Sequence, residues 1–183
     1  MPTIINPEER SRLENLSIRH LANKLLDDSS ALPVTEDSVV DTGKILDFLG
    51  YSYYEFDPSE NISNIKGAVI HADKKVLLNS GLSPQEKNFS LAHEIGHIVL
   101  HKGGDKIDFL QHSLEEVHID EIEANVFAYE LLMPIYHFRT KLKNNHDLTT
   151  LAEFYCLSEK RVNKRIEFEK RLSHKLQSLL SLD

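Results

Sequence analysis

The order of residue patterns along the 183 residues predicts an α+β chain with a small three-stranded sheet. Three observations carry this: helical periodicity at the start, a block of short period-two runs in the middle, and helical runs that resume after a capping sequence. Leu13 to Leu26 repeats its apolar residues at helical spacing until Asp27-Asp28-Ser29-Ser30 interrupts it, and Val39 to Leu49 reads as a second helix stopped by Gly50. The period then changes. Tyr51 to Phe56, Gly67 to His71 and Lys75 to Asn79 read as strands, separated by turn residues at Asp57-Pro58-Ser59 and His71-Ala72-Asp73. Ser83-Pro84-Gln85-Glu86 opens the next helix as N-cap, first-turn proline and capping box. A further helix runs from Asp120 to Met133 and ends at Pro134, and a polar helix from His137 leads to Asn144-Asn145-His146-Asp147, which reads as a linker.

Within the helix that Ser83 opens lies His93-Glu94-Ile95-Gly96-His97, two imidazoles one turn apart with a carboxylate beside the first. That spacing is what a helix needs to hold Zn²⁺ and act on its bound water. Phe89, Leu91, Ile95, Ile98, Val99 and Leu100 make the surrounding helix apolar, so its polar edge is expected to face a cleft from within the core. Two neutral histidines leave zinc underligated, since catalytic sites take three protein ligands and a water. The position six residues after His97 is Gly103, which excludes a third histidine there. His101 shares the face of His97 but lies a further turn on, a rise of about 6 Å, so three successive turns converge poorly on one ion. Capping its own helix is the preferred role for His101.

The better candidate is in the helix from Asp120, where Glu121 and Asn125 are one turn apart on one face and small Ala124 and Ala128 permit close helix approach. Glu121 is therefore expected as third ligand, with Asn125 accepting a hydrogen bond from the far nitrogen of a ligand imidazole. Glu123, about 200° around the helix, is the fallback. The competing reading of these carboxylates is a solvated acidic helix start.

These residues resemble the ImmA/IrrE family of zinc metallopeptidases, whose members carry a HE(I/L)GH helix, an apolar tail ending in histidine, and a later E-x-x-x-N/D helix running into FAxxLLMP. Here the segments are His93 to His97, Ile98-Val99-Leu100-His101, Glu121 to Asn125, and Phe127 to Pro134. The similarity spans Ile18 to Ile166, with lesser matches around His20 to Leu26, Leu49-Gly50-Tyr51, Gly67 and Val76 to Asn79. The resemblance implies a zincin-like core over 1–143, zinc on His93, His97 and Glu121, and Glu94 as general base of a gluzincin-type endopeptidase. It also implies a protein substrate such as a phage- or mobile-element-type transcriptional repressor, cleaved to relieve repression under stress.

The residues themselves support such chemistry. Zn²⁺ on two neutral imidazoles and one carboxylate keeps a net positive charge that acidifies a bound water and polarises a carbonyl. Glu94, about 100° around the helix from His93, is badly placed to chelate beside it and well placed to take that water's proton and pass it to a leaving amine. His101, His118 or Tyr129 would serve as oxyanion or proton-transfer partner, and the sequence does not choose among them. A sheet edge offers strand addition to an extended substrate, and Lys75 to Asn79, just before the metal helix, is the expected edge.

Residues 144–183 form a C-terminal helical region that reads as helix-turn-helix-like, from Leu151 through a turn at Cys156-Leu157 and an N-cap at Ser158 to Ile166. Its second helix carries Lys160, Arg161, Lys164, Arg165, Lys170, Arg171 and Lys175 against three glutamates, a pattern that suits DNA phosphate. Packing on the core is the preferred role, because the whole chain has a net charge of −8. The alternatives to an enzyme are a DNA-binding transcriptional regulator and a toxin-antitoxin component acting by partner binding, each with a structural or vestigial metal site. Intact Glu94 weighs against both, since a structural site needs no general base. One cysteine excludes an internal disulfide, no apolar run spans a membrane, and Met1 to Arg12 lack the order of a signal peptide, so a cytoplasmic location is expected. Cys156 is expected to be a buried turn residue.

Overall fold

The computed structural model describes residues 7–31, 39–58, 65–101, 119–144 and 147–180, with side chains described from 15 to 171 within those ranges. The elements are α1 (Pro7–Asp28), α2 (Thr42–Leu49), β1 (Ser52–Phe56), β2 (Gly67–Ile70), β3 (Lys75–Asn79), α3 (Pro84–Leu100), α4 (Ile119–Leu132), α5 (Ile135–Lys143), α6 (Leu148–Phe154) and α7 (Glu159–Leu180). Local chemistry explains several of the boundaries. Asp41 caps α2 by accepting from Lys44 N–H, and Gly50 ends it at φ 73, a left-handed position suited to glycine, where its N–H reaches the Asp47 and Leu46 carbonyls. Ser83 caps α3 by accepting from Glu86 N–H at 3.3 Å. The Glu86 carboxylate bonds Lys66 Nζ at 2.5 Å, which with nearby Arg161 holds its pKa below the usual range.

The sheet runs β1-β3-β2, with β1 parallel and β2 antiparallel to β3. Lys75 to Asn79 is thus the central strand, paired on both sides, and the expectation that it forms an open edge is overturned. Its composition fits the centre: Val76 and Leu78 are buried, whereas β1 exposes Tyr53 and Tyr54. The edges are β1 and β2.

α3 lies across β2 and β3 and packs along α4, while α1 covers α4 from another side. A single apolar cluster joins Val76 and Leu78 of the sheet to Phe89, Ala92 and Ile95 of α3, Phe127 and Leu131 of α4, and Ala22 and Leu26 of α1. The α3–α4 approach is close because Gly96 has no side chain. A Cβ there would lie 3.0 Å from Ala124 Cα and 3.1 Å from Ala124 O. The glycine of the pentapeptide is therefore a packing requirement, met from the other side by the small residue at 124.

The C-terminal helices join the same core through Leu151, Tyr155, Leu157 and Val162. Asp147 caps α6 by accepting from Thr150 N–H at 2.7 Å, and Asn88 of α3 donates to the Tyr155 carbonyl at 3.1 Å. The turn contains Cys156 at φ 49, doing what glycine usually does there. Cys156 is exposed, contrary to the expectation of a buried thiol, because Tyr155 and Leu157 on either side fill the interior. Two of the expected phosphate-binding cations also turn inward. Arg165 is fully buried against Glu130 and Glu169, and the Arg161 guanidinium lies 3.3 Å from the Phe89 ring centroid. Among the described residues no helix is long and apolar enough to cross a membrane.

Candidate metal centre

One helical turn separates His93 from His97, and their Nε2 atoms approach to 3.0 Å. Glu121, in the first turn of α4, places Oε2 3.2 Å from His93 Nε2 and Oε1 3.2 Å from His97 Nε2. The α3–α4 contact through Gly96 and Ala124 brings the two helices together at this point. All three residues are half-buried. Hydrogen bonds from His93 and then His97, more than their charge, hold the Glu121 carboxyl well below the usual carboxylate range.

The donor set fits zinc. Metal–ligand bonds of about 2.0–2.1 Å in a tetrahedron separate the ligand atoms by roughly 3.3 Å, close to the three spacings seen here. Two imine nitrogens and a carboxylate facing one point are rich in electrons and gain from a shared cation. His93 Nδ1 is buried and has no hydrogen-bond partner among the described residues. The sulfur of Cys156 belongs to the α6–α7 turn and takes no part in the cluster.

Glu94 is 7% exposed, next to His93 on α3, and lies against β2. A Cβ on Gly67 would meet Glu94 Oε1 at 2.7 Å, so the carboxyl occupies space that only glycine leaves open. This edge-strand glycine was visible in the sequence but had no role there. The signal that assigns one is three-dimensional: β2 must first be placed beside α3.

The remaining candidates separate clearly. Glu123 does not join the His93–His97–Glu121 cluster; its Oε2 lies 3.0 Å from His101 Nε2. His101 is the C-cap of α3, as preferred from the sequence, and its Nδ1 is 3.0 Å from His97 Nδ1. Both His101 nitrogens are therefore engaged inside the protein, which leaves neither aimed at a substrate oxyanion. Asn125 does not take the expected bond from a ligand imidazole. Its Nδ2 donates to the Glu121 carbonyl at 2.6 Å, the back-bond available to an amide one turn along its own helix, and His101 holds the far nitrogen of His97 instead. The Tyr129 ring packs on Phe89 with centroids 5.1 Å apart, two turns of α4 beyond Glu121. His118, and Gly103 with it, lie outside the described residues.

Comparison with known proteins places this geometry among relatives. The profile of the Peptidase_M78 family, described as an IrrE N-terminal-like domain, matches residues 54–167, a span from β1 into α7 that contains the whole cluster. An uncharacterized immunity region protein 2 of Bacillus phage phi105 is 39% identical over 62 residues, 34% of this chain and 39% of that protein. The radiation response metalloprotease IrrE of Deinococcus radiodurans is 30% identical over 89 residues, 47% of this chain and 23% of that protein. The chain thus spans less than half the length of either relative. A solved structure described as a Mycobacterium tuberculosis transcriptional regulator superposes with a TM-score of 0.56 at 17% identity, covering 80% of this chain and 45% of that one, a likeness of fold.

Proposed function

The chain belongs to the Peptidase_M78 family of IrrE N-terminal-like domains, and from that premise we propose that it is a zinc-dependent endopeptidase acting on a protein substrate. The observation that carries the reading is the convergence of His93 Nε2, His97 Nε2 and Glu121 within 3.0–3.2 Å, with Glu94 following His93 in the chain. Zn²⁺ held by these three would supply a Lewis acid for the scissile carbonyl and lower the pKa of water at the site. Glu94 takes the proton of the attacking water and returns it to the departing amine, base first and acid second. Its near-complete burial removes competing solvent, which favours this two-way role.

The substrate enters as an extended strand along β2. That strand pairs with β3 on one side, carries no strand on its other side among the described residues, and runs past Glu94 at Gly67. The absent side chain at 67 leaves the Glu94 carboxyl room to lie against this strand. A transcriptional repressor of phage or mobile-element type is the proposed substrate, a choice that the likeness to a phage immunity region protein favours. The reaction is hydrolysis of one peptide bond, with relief of repression under stress as its consequence and the cytoplasm as its setting.

Incubating the zinc-loaded chain with transcriptional repressors of phage type tests this. The wild type cleaves one of them, and Glu94→Gln retains zinc but cleaves about 10²–10⁴-fold more slowly, the range for loss of a general base. Equal cleavage by both proteins would exclude the mechanism. Equal release of repression in cells by both would favour the binding-only class.

A further inference from the structure

We propose that His101 and Glu123 are positioning residues for His97: a carboxylate–imidazole–imidazole chain accepts the Nδ1 proton of the metal-ligating His97 and holds its ring with Nε2 toward the metal. The inference rests on the metal-centre reading above and adds to it residues that touch neither the metal nor the substrate. Its basis is a continuous line of contacts, His97 Nδ1 to His101 Nδ1 at 3.0 Å and His101 Nε2 to Glu123 Oε2 at 3.0 Å.

Donor and acceptor roles along the line follow from its end. An ionised carboxylate only accepts, so the proton between Glu123 and His101 is on His101 Nε2. A neutral imidazole carries one ring N–H, so His101 Nδ1 presents a lone pair. With a metal on its Nε2, a neutral His97 carries its proton on Nδ1 and donates it to His101 Nδ1. That Nε2 faces His93 Nε2 at 3.0 Å and Glu121 Oε1 at 3.2 Å, the point where the ligand atoms converge.

The chain arises from two local facts. His101 is one turn beyond His97 and ends α3, where its ring tilts 50° to that of His97 with centroids 5.1 Å apart. Glu123 is two residues after Glu121, so the start of α4 supplies one carboxylate to the ligand nitrogens and another to the relay. His93 has no such support, its Nδ1 being buried without a partner among the described residues.

Two measurements on the full-length chain test this. In the metal-free wild type, ring ¹⁵N shifts are expected to show His101 protonated at Nε2 and not at Nδ1; a proton on His101 Nδ1 overturns the relay, whatever the protein does with zinc. Competition for Zn²⁺ with a chromophoric chelator should give one zinc per chain, with His101→Phe and Glu123→Leu binding about 10–100-fold more weakly at unchanged metal-free melting temperature. His101→Asn, whose Oδ1 keeps an acceptor near the lost Nδ1, should recover most of the affinity. Unchanged affinity in His101→Phe, or an asparagine no better than phenylalanine, rejects the relay. Asp120 lies close enough to His101 and Glu123 for the three to hold a cation of their own. Two zincs per chain, the second lost in Glu123→Leu, would replace the relay with that second site. A wild type that binds no zinc defeats the metal-centre reading, and the ¹⁵N assignment still decides the relay separately.

Discussion

Helix α4 carries carboxylates at both ends, and their surroundings are opposite. Glu130, 1% exposed, accepts from Arg19 Nε at 3.0 Å and from Arg165 Nη1 and Nη2 at 2.6 and 2.8 Å. Glu169 completes the group by pairing with Arg19, Arg165 and Arg139, and Arg165 Nη2 also donates to the Met133 carbonyl at 3.1 Å. Two carboxylates there meet three guanidiniums, and the cluster ties α1, α4 and α7 together. At the other end, Glu121 and the His93 and His97 nitrogens form a half-buried set whose atoms lie 3.0–3.2 Å apart. Buried charge with its partners supplied within the fold is architecture. Two imidazoles and a carboxylate converging on one point are a group that could hold a metal ion.

That contrast breaks most visibly at Glu130. Glu130→Ala leaves Arg165 and Arg19 short of their main partner, and urea unfolding should show a loss of about 3–5 kcal/mol. Zinc affinity of the folded fraction should stay unchanged; a loss of zinc as well would mean the two ends of α4 are not independent. Next in size is Gly96→Ala, which forces a methyl onto the Ala124 backbone and should cost about 1–3 kcal/mol while widening the α3–α4 gap and weakening zinc. Gly67→Ala sharpens the comparison from the open end. The methyl meets the far end of the Glu94 side chain, which can move, so stability should change by less than about 1 kcal/mol while kcat falls about 10–100-fold through a misplaced base. Thermal melts and initial rates on the same preparation separate the two effects. The smallest effect is expected at Cys156→Gly, where release of the left-handed strain slightly outweighs the added chain entropy, for a gain of about 0.5 kcal/mol and no change in zinc.

The parts of this molecule legible in its sequence are the local ones. The i, i+4 spacing of His93 and His97, the Ser83 cap, the Gly50 stop and the turn at Cys156 are set by a few neighbouring residues, and their patterns survive without a tertiary context. Glu121 was readable because the helix that carries it has its own periodicity and small residues for close packing. Strand order was not, since three short strands are compatible with several orders and only α3 lying on β2 and β3 selects β1-β3-β2. The inward turn of Arg165 was hidden for the same reason: its partner Glu130 is 35 residues away, and Arg19 is 111 residues from that glutamate. Asn125 shows a local alternative winning, as its amide bonds the carbonyl one turn back while a histidine from the end of α3 takes the role expected of it.

X-ray absorption at the zinc edge of the zinc-loaded chain tests the central claim most directly. The account predicts one zinc with nitrogen and oxygen neighbours at about 2.0–2.1 Å, two of them imidazoles, and loss of the carboxylate contribution in Glu121→Ala. Three imidazoles around the zinc, or a spectrum untouched by Glu121→Ala, would contradict it.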